Sequence, residues 1–189
     1  MIVSGVAMIR PELLSPAQRL PTLFSKRYDA SNDAMTLYTQ SWLGAFRNYL
    51  AASATLHFVW EVLHLPLYTI WSTGSLRELA FAVVHCTAGD LMIASLSLLI
   101  ALVLFGSAKW PSERFAVVLG ATVAIGIGYT VYSEWMNTTV RKTWEYSTLM
   151  PTIPLFGTGL SPLMQWLVTP IVAFVAVRHR QFWPCVGSR

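Results

Sequence analysis

Residues 91–105 read LMIASLSLLIALVLF, an apolar run without a charged side chain. Together with the residues before it, the run forms a segment that extends from Leu79 to Phe105. At about 1.5 Å of helical rise per residue, this segment is long enough to cross the roughly 30 Å hydrocarbon core of a bilayer. The run therefore predicts a transmembrane helix.

Three further segments are long and apolar enough to cross a bilayer as helices. They extend approximately from Leu43 to Trp71, from Phe115 to Met136 and from Leu160 to Val177. Pro162 and Pro170 fall in the last segment, so we expect breaks in that helix. The segments lack the alternation of polar and apolar residues that marks barrel strands. The predicted fold class is all-α: a polytopic membrane protein with a bundle of four transmembrane helices and a cytoplasmic N-terminal tail.

The composition agrees with this fold class. Of the 189 residues, 54% are hydrophobic and 12% are charged, whereas soluble domains carry about 25% charged residues. We predict one transmembrane domain at residues 41–180, between a partly disordered or interfacial tail at residues 1–40 and a C-terminal tail at residues 181–189. The formal charge is +4, but the basic residues flank the apolar segments. We therefore expect membrane lipids as partners, with other membrane proteins or a second copy as further candidates, and no nucleic acid.

Lysine and arginine are distributed unequally between the two sides of the predicted bundle. The N-terminal tail, the loop between the second and third helices and the C-terminus carry ten of them, and the other two loops carry three. Because cytoplasmic loops are enriched in these residues, both termini are predicted to be cytoplasmic. The predicted location is a bacterial inner membrane, with the two less basic loops on the outer side.

Two features predict how the helices and loops pack. The third helix carries Gly120, Ala124 and Gly128 at four-residue spacing. Small residues at that spacing allow helices to approach closely in lipid, so this stripe predicts a helix–helix contact. The long connection from Thr138 to Gly159 contains aromatic and apolar residues and two prolines. It has two interpretations: a lid that folds back over the outer face, or a simple interfacial loop.

The first helix carries His57, Glu61 and His64 at i, i+4 and i+7, which places the three side chains on one helical face. Ionisable groups are costly within hydrocarbon, so they usually have a function or a partner there. His64 lies two residues before Pro66, near the predicted interface, where a solvated side chain is expected. His57 and Glu61 lie deeper and can form an ion pair with each other.

Polar side chains of all four predicted helices fall in the outer half of the membrane. Counted from the helix ends at about 1.5 Å per residue, this set comprises His57, Glu61, His85, Asp90, Glu134 and Gln165. The inner halves of the last three helices have almost no ionisable groups. We therefore predict a pocket near the outer surface. Its catalytic candidates are His57, Glu61, His85, Asp90 and Glu134, and its substrate-binding candidates are Trp60, Asn137, Gln165 and Trp166.

Four kinds of chemistry fit this set of side chains. Imidazole and carboxylate groups bind divalent transition metals, and His57, Glu61 and His85 are the metal-ligand candidates. A less favoured cofactor is haem held by His57 and His85 on facing helices. Without a cofactor, carboxylate and imidazole groups can perform acid–base chemistry on a lipid. Buried carboxylates also carry charge in proton- or ion-coupled transport.

The pair His57-x-x-x-Glu61, together with the later Glu134 and Asn137, is similar to the four-helix sterol-isomerase-type (EXPERA) membrane proteins. The leading hypothesis is a metal- or acid–base-dependent membrane protein that acts on a lipid or another hydrophobic molecule. The alternatives are a non-enzymatic accessory or transport subunit that binds metal, haem or protons, and a structural protein whose polar residues only satisfy one another.

Overall fold

The computed structural model describes residues 42–154 and 157–182, with side chains described as far as residue 179. Within this part of the chain, α1 covers residues 42–64, α2 is Leu76–Phe105, α3 is Phe115–Trp135 and α4 is Leu160–Phe182. All four helices are long and apolar enough to cross a membrane, and the described residues contain no β-strand. The predicted all-α bundle of an integral membrane protein is confirmed. The predicted tails at residues 1–40 and 181–189 lie outside the described residues, apart from the last residues of α4.

The first helix is shorter than predicted. α1 ends at residue 64 rather than near Trp71, because Pro66 has no backbone N–H to donate and its ring disfavours a continuing helix. A 3-10 turn, Leu65–Leu67, and a helical turn, Ile70–Thr73, connect α1 to α2. The chain therefore leaves α1 soon after His64 and runs across the end of the bundle.

Two other helix boundaries have local explanations. α2 begins at a capping box, in which the Glu78 amide donates to the Ser75 hydroxyl and the Ser75 amide donates to the Glu78 carboxylate. The predicted breaks in α4 do not occur. Pro162 lies in the first turn, where a backbone N–H has no partner within the helix, and Pro170 lies inside a helix that continues past it.

α2 packs against α3, and α3 packs against α4. Their outer surfaces carry large exposed apolar side chains, among them Phe58, Leu63, Val103, Leu104 and Val175. The buried interior, by contrast, includes many polar side chains: Ser53, His57, Glu61, His64, Ser97, Thr122, Thr130, Glu134, Gln165 and Thr169. An apolar surface around a partly polar interior is the arrangement expected of helices in lipid, where polar groups must find partners inside the protein.

The small-residue stripe on α3 does not form the predicted helix contact among the described residues. Gly120, Ala124 and Gly128 are exposed, and a Cβ added at either glycine would meet nothing within 4 Å. The buried face of α3 instead carries Gly126. A Cβ at Gly126 would lie 2.1 Å from Cε3 of Trp166, so only glycine allows this indole to lie against α3.

The connection between α3 and α4 folds back over the bundle. Residues 141–154 and 157–159 are called the lid here. The Thr69 amide donates to the Glu145 carbonyl at 3.0 Å, and the Ser147 amide donates to the Leu67 carbonyl at 2.9 Å. An isolated antiparallel bridge joins Tyr68 to Tyr146 in the lid. Of the two interpretations of this connection, the structure supports the lid.

The two ends of the bundle are named by their connections. The lid and the α1–α2 connection lie at the lid end, and the α2–α3 connection, residues 106–114, lies at the far end. In the sequence-based orientation the lid end is the outer side of the membrane and the far end is the cytoplasmic side.

Candidate functional site

The buried face of α1 is polar along almost its whole length. The side chains on this face are Tyr49, Ser53, His57, Glu61 and His64, and each residue is at most 7% exposed. Spacings of four and three residues place them in one line along the helix. The three residues that the sequence singled out are therefore the lid-end part of a longer polar line.

Gln165 of α4 lies at the centre of the polar cluster. Its Nε2 atom donates to Oε1 of Glu61 at 3.0 Å and to Oδ2 of Asp90 at 2.8 Å, and it lies 2.9 Å from Nδ1 of His57. One amide group thus connects α1, α2 and α4. These four residues are called the Gln165 cluster below.

His57 is 1% exposed and is enclosed by groups from two other helices. Its Nδ1 atom lies 3.3 Å from Oδ2 of Asp90, and its Nε2 atom lies 3.3 Å from the hydroxyl oxygen of Thr169. The Trp166 ring lies beside the imidazole, with 5.2 Å between the ring centres. His57 therefore pairs with Asp90 and not with Glu61, which the sequence had offered as its ion-pair partner.

A second histidine extends the cluster towards the lid end. His64 Nε2 lies 3.0 Å from Oε2 of Glu61, and Nδ1 lies 3.1 Å from the Ser161 hydroxyl. The Trp60 indole N–H donates to the same hydroxyl at 3.2 Å. The expectation of a solvated His64 was wrong, because the side chain is buried and hydrogen-bonded on both ring nitrogens. Glu61 connects the two histidines. Its Oε1 atom binds the Gln165 amide that contacts His57, and its Oε2 atom lies beside His64.

The hydrogen bonds around His57 fit its Nε2 atom both with and without a proton. The Thr169 hydroxyl has one hydrogen, and its oxygen lies 2.7 Å from the Gln165 carbonyl and 3.3 Å from His57 Nε2. If the hydrogen points to the carbonyl, the contact with Nε2 is a hydrogen bond only when Nε2 carries a proton. If it points to Nε2, that nitrogen accepts and the imidazole is neutral. Rotating one hydroxyl therefore matches either state.

Glu134 forms a separate centre beneath the lid. The Tyr146 hydroxyl donates to its carboxylate and accepts a hydrogen bond from the Gly159 amide at 2.9 Å. Burial, and then the neighbouring Glu134 carboxylate, raise the pKa of the Tyr146 phenol. The same two causes raise the pKa of Tyr68 well above its ordinary value. Both phenols therefore stay neutral hydrogen-bond donors at physiological pH.

Aromatic rings connect the two centres. The His64 and Tyr68 rings have centres 5.3 Å apart, and the Tyr68 and Tyr146 rings have centres 5.6 Å apart. The line from His64 through Tyr68 to Tyr146 joins α1 to the lid. Glu134, in the last turn of α3, is thus held under the lid rather than directed to solvent.

Two predicted site residues make their contacts outside the Gln165 cluster. The His85 side chain is exposed on α2 and stacks on Phe81, with 5.5 Å between the ring centres. Asn137 forms local contacts, donating to the Ser133 carbonyl at 2.9 Å and accepting from the Thr143 hydroxyl at 3.0 Å. The structure does not bring these two residues to the Gln165 cluster.

The predicted metal ligands are not assembled, because His85 faces away from His57 and Glu61. Within residues 42–154 and 157–182, no group of three or more His, Cys, Asp or Glu side chains is arranged to hold a metal ion. Because His85 is exposed and His57 is buried, the two histidines are also not placed to hold a haem between them.

Three residues of the site were missed by sequence reasoning. Ser161 and Thr169 precede and follow Gln165 by four residues, so their helical spacing could have found them. Tyr146 lies in a loop, and no local pattern points from it to Glu134. The described tryptophans expected inside the membrane, Trp60 and Trp166, both border the cluster.

No family model, curated protein or solved structure matches the chain.

Proposed function

We propose that this integral membrane protein binds and releases protons at a buried acid–base site and acts on a lipid or another hydrophobic molecule. The observation that carries the proposal is the position of Gln165 Nε2, within 3.0 Å of acceptor atoms on His57, Glu61 and Asp90. An amide nitrogen has two hydrogens and cannot donate to three acceptors at once. One of the three therefore needs a proton of its own, which suits the cluster to proton exchange.

Electrostatics support the same proposal. Glu61 and Asp90 bind one amide nitrogen, so the two carboxyl groups are neighbours. Like charges within about 4–6 Å disfavour simultaneous ionisation, and low-dielectric surroundings strengthen the repulsion. A proton taken up by either carboxyl group or by His57 relieves that repulsion. The cluster therefore has a physical reason to hold an exchangeable proton.

The geometry favours acid–base chemistry over a metal centre. A cation bound by His57, Glu61 and Asp90 would need the space between their acceptor atoms. The Gln165 NH₂ group lies there instead and donates hydrogen bonds to the carboxylates. A bound cation would require this amide to move or to turn its oxygen inward.

Each residue has a distinct role in the proposed site. His57 accepts and donates the proton, since both ring nitrogens have partners and its surroundings match two protonation states. Asp90 is the group closest to a substrate that arrives through the lipid, because its side chain is 15% exposed while that of His57 is 1% exposed. Gln165 positions the acceptors relative to one another.

The orientation and location belong to the proposal. The excess of Lys and Arg around the far end and the termini supports cytoplasmic termini and a lid on the outer side. The site then lies in the outer half of the bilayer, and a bacterial inner membrane is the proposed location. A cysteine introduced in the lid and labelled from one side only tests this orientation.

The proposed proton exchange is tested by ¹⁵N-histidine NMR of the protein in nanodiscs, between about pH 4 and pH 9, which covers ordinary carboxyl and imidazole pKa values. We expect the His57 nitrogen shifts to change with pH, and Asp90→Asn to change their titration. The exposed His85 provides an internal reference in the same spectra. Infrared spectroscopy should show a protonated-carboxyl band that Asp90→Asn or Glu61→Gln alters.

The outcomes separate the proposal from a purely structural role. If His57 keeps one protonation state throughout this range and no carboxyl band titrates, the cluster exchanges no proton and the proposal fails. Stoichiometric zinc or iron in the purified protein, bound more weakly after Glu61→Gln, would instead favour a metal centre.

A further inference from the structure

The polar line on α1 continues beyond the Gln165 cluster towards the far end. Ser53 and Tyr49 lie one and two helical turns beyond His57, and each is 1% exposed. Two helices contribute further hydroxyls to this part of the interior: Ser97 of α2 is 1% exposed and Thr122 of α3 is 0% exposed. Acid–base chemistry at the cluster alone gives no reason to bury these groups.

The Tyr49 hydroxyl is the most informative of them. It is buried and makes no hydrogen bond of standard geometry within the described part of the chain, although the Ser53 side chain lies close to it. An unpaired buried hydroxyl costs about 1–3 kcal/mol in protein mutational data. Thr122, by comparison, donates to the Val118 carbonyl at 2.8 Å and is satisfied within its own helix. The Tyr49 hydroxyl is therefore available to a water molecule or a moving proton.

An aromatic group closes the far end around Phe174. The Phe174 ring contacts Tyr49 with 5.3 Å between ring centres, Phe115 with 5.5 Å and Trp110 with 6.1 Å. The Trp110 indole N–H is also buried without a partner in the described residues. Two unpartnered donors thus border the same phenylalanine, at the end of the polar line opposite the lid.

The spacing of the line suits a relay. Side chains one helical turn apart have Cβ atoms about 5–6 Å apart, a distance that one bridging water between polar atoms can span. Where the line reaches the Gln165 cluster, the Thr169 hydroxyl of α4 lies 3.3 Å from His57 Nε2. His57 Nδ1, on the opposite side of the ring, faces Asp90. The imidazole therefore lies between the Thr169 hydroxyl on one side and the Asp90 carboxylate on the other.

We propose that Tyr49, Ser53 and Thr169 form a second proton path from the far end to His57, and that the protein conducts protons across the bilayer. The inference rests on the proposed proton exchange at the cluster. When a hydroxyl oxygen takes up a proton, it releases its own proton to the next group. Each hydroxyl is therefore unchanged after the transfer. His57 gains a proton at Nε2 and releases one from Nδ1 to Asp90. Asp90 passes its proton to Glu61, and His64 carries it on towards the lid end. Rotation of the His57 ring then turns the protonated nitrogen towards Asp90 and the free nitrogen towards Thr169, so that a second proton can follow. Movement of the Phe174 ring opens the path.

The test uses the full chain reconstituted in liposomes that contain a pH-sensitive dye, with an imposed pH gradient and valinomycin to balance charge. We expect faster proton entry than in protein-free liposomes. Tyr49→Phe and Ser53→Ala should reduce the flux towards the protein-free rate. Matched controls are Tyr132→Phe, at an exposed tyrosine of α3, and Ser95→Ala, whose hydroxyl donates to the Leu91 carbonyl. Both controls should keep the wild-type flux.

The NMR titration of His57 separates this inference from the proposed function. If His57 exchanges protons but the liposomes show no flux above the protein-free rate, the far-end path is wrong and the acid–base site stands. If His57 does not exchange, both fail. Wild-type flux in folded Tyr49→Phe protein would also overturn the path.

Discussion

In the lid half of the bundle, the buried polar residues of α1 all have hydrogen-bond partners on another helix, whereas in the far half Tyr49 has none on the described helices. The lid half contains histidines, carboxylates and an amide whose contacts span three helices. The far half is dominated by aromatic and aliphatic packing around Phe174. The comparison shows that the polar line differs along its length: in the lid half its side chains are hydrogen-bonded to other helices, and in the far half the Tyr49 hydroxyl makes no such bond among the described residues.

The largest expected effect comes from removing the amide at the centre of the lid half. Gln165→Leu should destabilise the protein by about 3–5 kcal/mol, because it leaves buried charged groups without a shared donor. Met164→Leu, at a partly exposed neighbour on α4, should have little effect. The free energy of unfolding in detergent measures both. If the free energy of unfolding of Gln165→Leu equals that of the wild type, the contacts at Nε2 do not contribute to stability.

Tyr146→Phe should cost about 1.5–3 kcal/mol, the range for a hydrogen bond to a charged group. The variant removes the donor to Glu134 and frees the lid, so amide hydrogen exchange in the lid should accelerate. Tyr129→Phe, at an exposed tyrosine of α3, is the matched control. Unchanged exchange in the lid would show that this hydrogen bond does not hold the lid closed.

Gly126→Ala tests the boundary between the two halves, where Trp166 lies between α3 and His57. The added methyl group would lie 2.1 Å from the indole, and overpacking of this kind typically costs about 1–3 kcal/mol. Gly128→Ala has open space and should be neutral or stabilising, since alanine favours helix more than glycine does. Thermal unfolding of the two variants measures the difference. Equal stabilities would contradict the close packing of Trp166 on α3.

The smallest expected effect on stability is that of Tyr49→Phe in the far half. The hydroxyl makes no hydrogen bond of standard geometry to the part of the chain that the structure describes, so the free energy of unfolding should stay the same or rise slightly. Tyr146→Phe is the same substitution in the lid half and provides the direct comparison. A loss of stability as large as that of Tyr146→Phe would show that the Tyr49 hydroxyl has a structural partner.

Much of the site was predictable from helical spacing. His57, Glu61 and Asp90 were expected near one another, and Gln165 was expected at a similar depth. His85 was expected there as well, because the prediction used the depth of each residue in the membrane and not the direction in which its side chain leaves the helix. His85 and Asp90 are five residues apart, which separates their side chains by about 140° at 100° per residue. The two could not face the same neighbour, although spacing alone does not say which of them faces inward.

The same geometry explains the error on α3. Gly126 lies two residues from both Ala124 and Gly128, and two residues turn a helix by about 200°. The three predicted small residues therefore face away from the contact that Gly126 makes. Tyr146 had no such signal, because its meeting with Glu134 depends on how a long loop folds over the bundle.

The four membrane-spanning helices and the stripe of His57, Glu61 and His64 on α1 were predictable from the sequence, because hydrophobic length and residue spacing are local properties of the chain. Tertiary structure alone decided that Gln165 is the centre, that His85 faces outward and that the lid covers Glu134. Those outcomes depend on the rotation of each helix relative to its neighbours. That rotation is set by contacts between residues far apart in the chain, such as Trp166 against Gly126.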